Sequence, residues 1–285
     1  MNFGGIEEKY EALEGAAFVV VPVPYDLTTT YQGGARKGPA AILEASCNME
    51  LYDEEIEAET YRAGIHTMEP LEAVASGPEG MLGRIEEAVT GIFELGKIPV
   101  MLGGEHSITL GAVRAARKRY PKLSVLHLDA HADMRISYQG TPYSHACIGR
   151  RMIELCPVVQ AGIRSMSVEE ADFLRRRKLP SCSAAAIRRD RAWVGKLIRH
   201  LTRDVYITVD LDAFDPAVMP ATGTPEPGGM LWHDMLDLLR EVCRKKNVIG
   251  FDLVELAPIP GMVAPDFLAA RLAYRMMGYM TQKSR

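Results

Sequence analysis

Leu126-His127-Leu128-Asp129-Ala130-His131-Ala132-Asp133 decides how this chain is read, because an apolar run, rich in Val and Leu from Pro121 to Leu128, ends in two carboxylates and an imidazole at every second position. In an extended backbone alternate side chains share a face, so Asp129, His131 and Asp133 are expected to converge. A buried parallel strand of an open α/β sheet leaves its carboxyl end facing a ligand crevice. A capped turn or an acidic surface knuckle would give the same short pattern by chance, so two further segments carry the decision. Gly103-Gly104-Glu105-His106-Ser107 follows the apolar stretch Ile98 to Leu102 and precedes a helical pattern; glycines there let the chain turn tightly and leave His106 at the crevice mouth. Thr208-Val209-Asp210-Leu211-Asp212-Ala213-Phe214-Asp215-Pro216 closes another apolar stretch with Asp210 and Asp212 on one face. Carboxylates facing the same way into a buried crevice repel unless protons or cations intervene.

His106, Asp129, His131, Asp133, Asp210 and Asp212 together offer four carboxylates and two imidazoles, more than one ion needs and enough for two ions that share carboxylates. Two ions roughly 4 Å apart lower the pKa of a shared water to about neutrality. Oxygen-rich ligation without thiolate favours two Mn2+ per chain, and Ni, Co or Fe fit the same donors. His127 lies on the same strand face as Asp129 but deeper, and is read as a core or supporting group.

Outward from these segments, short apolar strands alternate with helical patterns. Strands are expected at Ala17 to Val23, Tyr61 to Ile65, Ile98 to Leu102, Leu123 to Leu128, Val158 to Ile163, Val205 to Val209 and Val248 to Leu253. Helices are expected at Ala40 to Ala45, Met81 to Leu95, Ser107 to Tyr120, Ser167 to Arg177, Ile187 to Leu201, Trp232 to Lys245 and Pro265 to Met280. This alternation implies an α/β fold with a parallel sheet covered on both faces, as a single domain over residues 1–285.

Composition narrows the function. With 47% hydrophobic and 25% charged residues and a formal net charge of -4, the chain has the balance of a soluble globular protein and no electrostatic footprint for nucleic acid. The basic clusters Arg175 to Lys178 and Arg244 to Lys246 each close an apparent helix, where cations complement the dipole. Five cysteines without zinc-type spacing suit a reducing cytosol. The amino terminus lacks a signal pattern and Ala16 to Val23 is too short to cross a bilayer, so a cytoplasmic protein without membrane attachment is expected.

The three segments Gly103-Gly104-Glu105-His106, Asp129-Ala130-His131-Ala132-Asp133 and Asp210-Leu211-Asp212-Ala213-Phe214-Asp215-Pro216 resemble the signatures of the ureohydrolases, the arginase and agmatinase family. The resemblance runs from about Pro22 to the last helix. It implies a three-layer α/β/α fold with a mainly parallel eight-stranded sheet and a dinuclear manganese site. One Mn would take His106 and Asp133 and the other His131 and Asp212, with Asp129 and Asp210 bridging. The implied reaction hydrolyses a small guanidino substrate to urea and an amine. By matching position, Asp133 would relay the proton to the leaving amine, His145 would exchange protons with solvent and bind substrate, and Glu255 would pair with the guanidinium. Asp252 is read as structural or supporting.

Tyr31 to Pro39 and Thr222 to Gly229 look more like agmatinases than arginases, so agmatine, yielding putrescine, is the first expected substrate. Aminopropylagmatine, guanidinobutyrate and arginine are alternatives. Arginases usually carry asparagine where this chain has Arg135; a cation near the substrate tail would repel the agmatine ammonium and attract an acid. A noncatalytic metal-binding regulatory protein of the same fold and a metal-dependent amide deacetylase are the readings from other classes. The resemblance also implies a homo-trimer or homo-hexamer; Met276, Met277 and Tyr279 suit either an interface or the chain's own core.

Overall fold

Phe18-Val19-Val20-Val21-Pro22-Val23 is buried at every position, as only a strand covered on both faces can be. In the computed structural model, which describes residues 1–282, it is β1 (Phe18–Val23). It is joined by β2 (Ile65–Thr67), β3 (Ile98–Gly103), β4 (Ser124–Leu128), β5 (Val158–Ile163), β6 (Ser181–Ser183), β7 (Asp204–Asp210) and β8 (Asn247–Val254). These eight strands form one sheet in the order 2-1-3-8-7-4-5-6, and every pairing is parallel.

Besides a single helical turn at Glu8–Glu11, the helices are α1 (Gly38–Ser46), α2 (Pro78–Glu94), α3 (Thr109–Arg119), α4 (Ile148–Leu155), α5 (Val168–Arg177), α6 (Ala184–Arg189), α7 (Trp193–Ile198), α8 (Trp232–Lys245) and α9 (Ala264–Thr281). Strand alternation divides the core into two layers. Phe18 and Val20 join one layer with side chains of α1, α6, α7, α8 and α9, while Val19, Val21 and Val23 join the other with side chains of α2, α3 and α4. Removing a central packer such as Leu239 of α8, fully buried, to alanine is expected to cost about 2–5 kcal/mol. Proline stands in the first turn of α1, α2 and α9, where a missing N–H leaves no bond unmade. Ser167 caps α5 in a reciprocal pair with Glu170. Among the described residues no helix is long and apolar enough to cross a membrane.

Several boundaries differ from the pattern-based expectation. The stretch expected as a strand at Tyr61 to Ile65 is mostly a turn, Thr60–Ala63, closed by Gly64 with φ +80°, and the strand is β2 beyond it. β6 is Ser-Cys-Ser, with both serines exposed and the cysteine half-buried, and no apolar run marks it. The single helix expected over Ile187 to Leu201 is two, because Asp190 is extended and its Oδ1 accepts from the Ala192 backbone N–H. The acidic stretch after Tyr52 forms a small hairpin, Tyr52–Asp53 with Ala58–Glu59. Buried Arg275 of α9 reaches that hairpin at Asp53 (2.7 Å), Glu54 (2.9 Å) and Glu55 (2.8 Å). Met276, Met277 and Tyr279 lie in the chain's own core.

The order of the sheet positions the site. β3, β8, β7 and β4 are consecutive neighbours, so their carboxyl ends open side by side, about 4.8 Å apart, at the middle of the sheet.

Candidate active site

β3 turns out of the sheet through Gly103-Gly104. A side-chain carbon at Gly104 would lie 1.9 Å from the Tyr25 carbonyl oxygen, so glycine is required where this loop passes the end of β1. The turn is fastened by Glu105, whose buried carboxylate accepts from the Thr28 backbone N–H (2.5 Å), the Thr28 hydroxyl (2.8 Å) and the Ser107 hydroxyl (2.5 Å). His106 follows, 1% exposed, with its ring over the ends of β7 and β4.

Alternation along a strand is not what gathers the other ligands. β4 ends at Leu128, and the chain then bends: His131 pairs with Ser165 beyond β5 and Asp133 sits in the left-handed region at φ +53°. β7 likewise ends at Asp210, whose Oδ1 accepts from the Asp212 N–H (2.8 Å) and starts the short turn Leu211–Ala213. Short polar loops, shaped by their own carboxylates, bring the groups together. Asp215 at the end of the motif faces away and fastens a turn, accepting from Ala217, Gly228 and Gly229 N–H groups.

The convergence forms two overlapping groups. His106 Nδ1 lies 3.1 Å from Asp129 Oδ2, 3.1 Å from Asp210 Oδ2 and 3.6 Å from Asp133 Oδ2. His131 Nδ1 lies 2.9 Å from Asp212 Oδ2 and 3.6 Å from Asp129 Oδ1. Asp129 therefore turns one oxygen to each group, the arrangement of a shared ligand. His127 joins it from below: its Nε2 donates to Asp129 Oδ2 (2.8 Å) while Gln160 Nε2 donates to its Nδ1 (3.1 Å), which sets the tautomer. Burial holds His127 below its ordinary pKa, as befits a neutral donor.

The charges demand cations. Burial, then neighbouring carboxylates, pushes Asp133 and Asp210 well above the usual carboxylate range. Glu255 is raised too, by burial, Asp210 and Glu105. Burial opposes a charge on His106, yet Asp129 and Asp210 outweigh it and raise that imidazole well above its ordinary value. Protons would have to occupy the places that metal charge can take. His106 Nδ1 is buried and makes no hydrogen bond, though two carboxylate oxygens stand 3.1 Å away. Donors crowded around a common point without bonding one another fit a pair of divalent cations, with carboxylates and imidazoles as ligands.

Around this centre lies a narrow cavity of about 20 Å³. His145 and Glu255 line the inner cavity with Thr30, Gly223 and Thr224. Glu255, at φ +67° just beyond β8, accepts from the His106 backbone N–H at Oε1 (2.6 Å), which leaves Oε2 beside Gly223. Asp133 and Glu255 both hold left-handed backbone that a non-glycine residue adopts only under constraint, a feature concentrated at functional sites. Thr28 gives its hydroxyl proton to Glu105, and His145 Nδ1 lies 3.1 Å from the Thr28 oxygen and 3.3 Å from the Ser144 oxygen, so the ring is held at Nδ1 rather than at Nε2. Burial, and then the charges of His106 and His131, push His145 down to about 4. Beside the inner cavity opens a chamber of about 290 Å³ lined by Arg135, Tyr138, Ser167 and Thr224. The Arg135 guanidinium lies over the Tyr138 ring, 4.9 Å from its centre, on the wall of that chamber.

The eight candidate residues of the sequence thus border one site, and several others that no sequence motif marks support them. Glu105 and Thr28 join two loops, Gln160 holds His127, and Arg164 gathers the loops after β7. The Arg164 guanidinium donates to the carbonyls of Asp212 (2.7 Å), Phe214 (3.1 Å), Glu226 (2.7 Å) and Gly162 (3.1 Å). The available signal was a polar or charged residue interrupting or ending an apolar run, as Gln160 and Arg164 do around β5.

The chain matches the model described as the Arginase family over residues 16–278. It is 41% identical over 278 residues to a Synechocystis protein named N(1)-aminopropylagmatine ureohydrolase, covering 95% of this chain and 91% of that one. A Bacillus subtilis agmatinase is 34% identical over 250 residues, covering 86% of this chain and 85% of that one. The crystal structure of the agmatine ureohydrolase of Thermoplasma volcanium superposes with a TM-score of 0.89 at 34% identity, covering 99% of this chain and 95% of that one.

Proposed function

The chain belongs to the arginase family of ureohydrolases, and from that premise we propose that it hydrolyses the guanidino group of a linear amine, N(1)-aminopropylagmatine ahead of agmatine, to urea and the free amine. The observation that carries the class is the pair of ligand clusters sharing Asp129, with Glu255 facing the same cavity. The substrate order rests on the 41% identity to a relative named for aminopropylagmatine, against 34% to one named agmatinase. Agmatine is the second reading, favoured by the likeness of the loops Tyr31 to Pro39 and Thr222 to Gly229 to agmatinases.

His106, Asp133, Asp129 and Asp210 would hold one cation and His131, Asp212, Asp129 and Asp210 the other, with manganese favoured by the oxygen-rich donors. When bound, such a pair supplies the charge that makes water a nucleophile near neutral pH. The chain supplies the rest. Glu255 Oε2 faces the guanidinium and fixes its planar carbon over the cluster, a charge-assisted contact that also aligns the attack. Asp133 takes the proton released by the attacking water and returns it to the departing nitrogen. His145 Nε2 exchanges protons between that nitrogen and solvent. The balance is one guanidinium and one water giving one urea and one ammonium, with no net proton change. The chamber beside the inner cavity would receive the substrate tail.

A panel of aminopropylagmatine, agmatine, arginine and guanidinobutyrate on manganese-loaded protein, with urea as readout, tests this. The expected order of kcat/KM is the order given. Urea from none of the four would overturn the reaction, and a preference for arginine or guanidinobutyrate would overturn the substrate class.

A further inference from the structure

Behind His106 a polar row crosses an apolar layer. Thr208 of β7 stands in register with Asp252 of β8 on one side and His127 of β4 on the other, and all three are fully buried. Their neighbours in that layer include Met101, Val125 and Ile249. Polar groups so placed are costly unless bonded, and here the bonds have a direction. Asp252 accepts from the Tyr206 hydroxyl at Oδ2 (2.9 Å) and from the Thr208 hydroxyl at Oδ1 (2.6 Å). Thr208 has one proton to give, and Asp252 takes it. Its oxygen is then the acceptor for His106 Nε2, 2.9 Å away. A neutral imidazole with its proton on Nε2 presents a lone pair at Nδ1, the atom that faces Asp129, Asp210 and Asp133.

We propose that Thr208 and Asp252 are positioning residues that lock His106 in the Nε2–H tautomer and ring orientation needed to bind a divalent cation, so that the cation on the His106 side is the tighter of two. Among the described residues the His131 side has no such lock. His131 is 25% exposed, and the carboxylate nearest its Nε2, Glu226, is 3.9 Å away, beyond hydrogen-bond range. Carboxylate or hydroxyl partners of a ligating imidazole fix its tautomer and raise its basicity, and their loss typically weakens metal binding 10–100-fold. The inference rests on the two-cation reading of this site.

The test is a Mn2+ titration of chelator-stripped full-length protein by calorimetry, with electron paramagnetic resonance to separate single from coupled ions. Wild type is expected to bind two ions stepwise. Thr208→Val, which keeps shape and removes the hydroxyl, and Asp252→Asn should each weaken the tighter step about 10–100-fold and leave the weaker within about twofold. Thr208→Ser should restore the tighter step to within about threefold. Folding is checked by circular dichroism and Tm; if Thr208→Val does not fold, Asp252→Asn and Thr208→Ser carry the same comparison. Wild-type constants in the folded variants would overturn the proposal, as would equal weakening of both steps with serine no better than valine. Failure of wild type to bind two ions would instead overturn the two-cation reading itself.

Discussion

His106 and His131 are the same residue type facing one shared carboxylate, yet the molecule supports them in opposite ways. His106, 1% exposed, is backed by side chains of the sheet, while His131, 25% exposed, stands on the loop after β4 and faces Asp212, whose own loop is held by Arg164. The inner half is stiffened by strand register and the outer half by loop hydrogen bonds. The inner half is therefore the more enclosed and the outer half the more open. Perturbations ought to separate the two halves.

The largest effect is expected where they meet. Asp129→Asn removes charge from the carboxylate that turns an oxygen to each histidine, and should lower kcat/KM for urea release by about 10³-fold or more while circular dichroism stays native. Glu255→Gln should reduce kcat/KM about 10²-fold, the scale of losing a charged hydrogen bond to the substrate, without removing either cation as measured by metal content. On the outer side, Arg164→Met strips carbonyls of Asp212, Phe214 and Glu226 of their donor. A loss of about 3 kcal/mol is expected, read as a Tm lower by roughly 5–10 °C, with the His131-side cation released first on dilution.

Smaller and of defined sign is the pH response of His145. Its folded pKa of about 4, set by burial and then by the His106 and His131 charges, lies below its ordinary 6.5. The unfolded chain therefore binds the proton first, and stability is intact above about pH 6.5 and lost as pH falls towards 4. The loss is on the order of 2–3 kcal/mol, and denaturation of metal-free His145→Gln should lack that part of the slope. The smallest effect is expected at Arg135, which rests on Tyr138 at the chamber wall. Arg135→Ala should shift the ratio of kcat/KM for cationic over anionic tails upward by about 2–10-fold, leaving metal content unchanged.

The same contrast explains what could be read from the sequence. The ligands were legible because each follows an apolar strand in a short polar segment, and buried carboxylates with imidazoles have few other uses. Strand alternation predicts their convergence, whereas His131, Asp133 and Asp212 are delivered by bent loops. No residue type in Ala130 to Asp133 announces a left-handed aspartate. Thr208 reads as one more β-branched residue in Val205-Tyr206-Ile207-Thr208-Val209, and only the register of β7 against β8 places it between His106 and Asp252. Arg164 is visible as a charge ending the apolar run of β5, but its acceptors are backbone carbonyls up to 63 positions away, which no side-chain pattern encodes. β6, at three residues, is too short for periodicity to detect.

The central claim, that these six side chains hold two divalent cations around a shared carboxylate, is tested most directly by an anomalous-difference map from crystals soaked in Mn2+. Two peaks are expected, one against His106 and Asp133 and one against His131 and Asp212, with Asp129 touching both. A single peak, or none within the cluster, would contradict it.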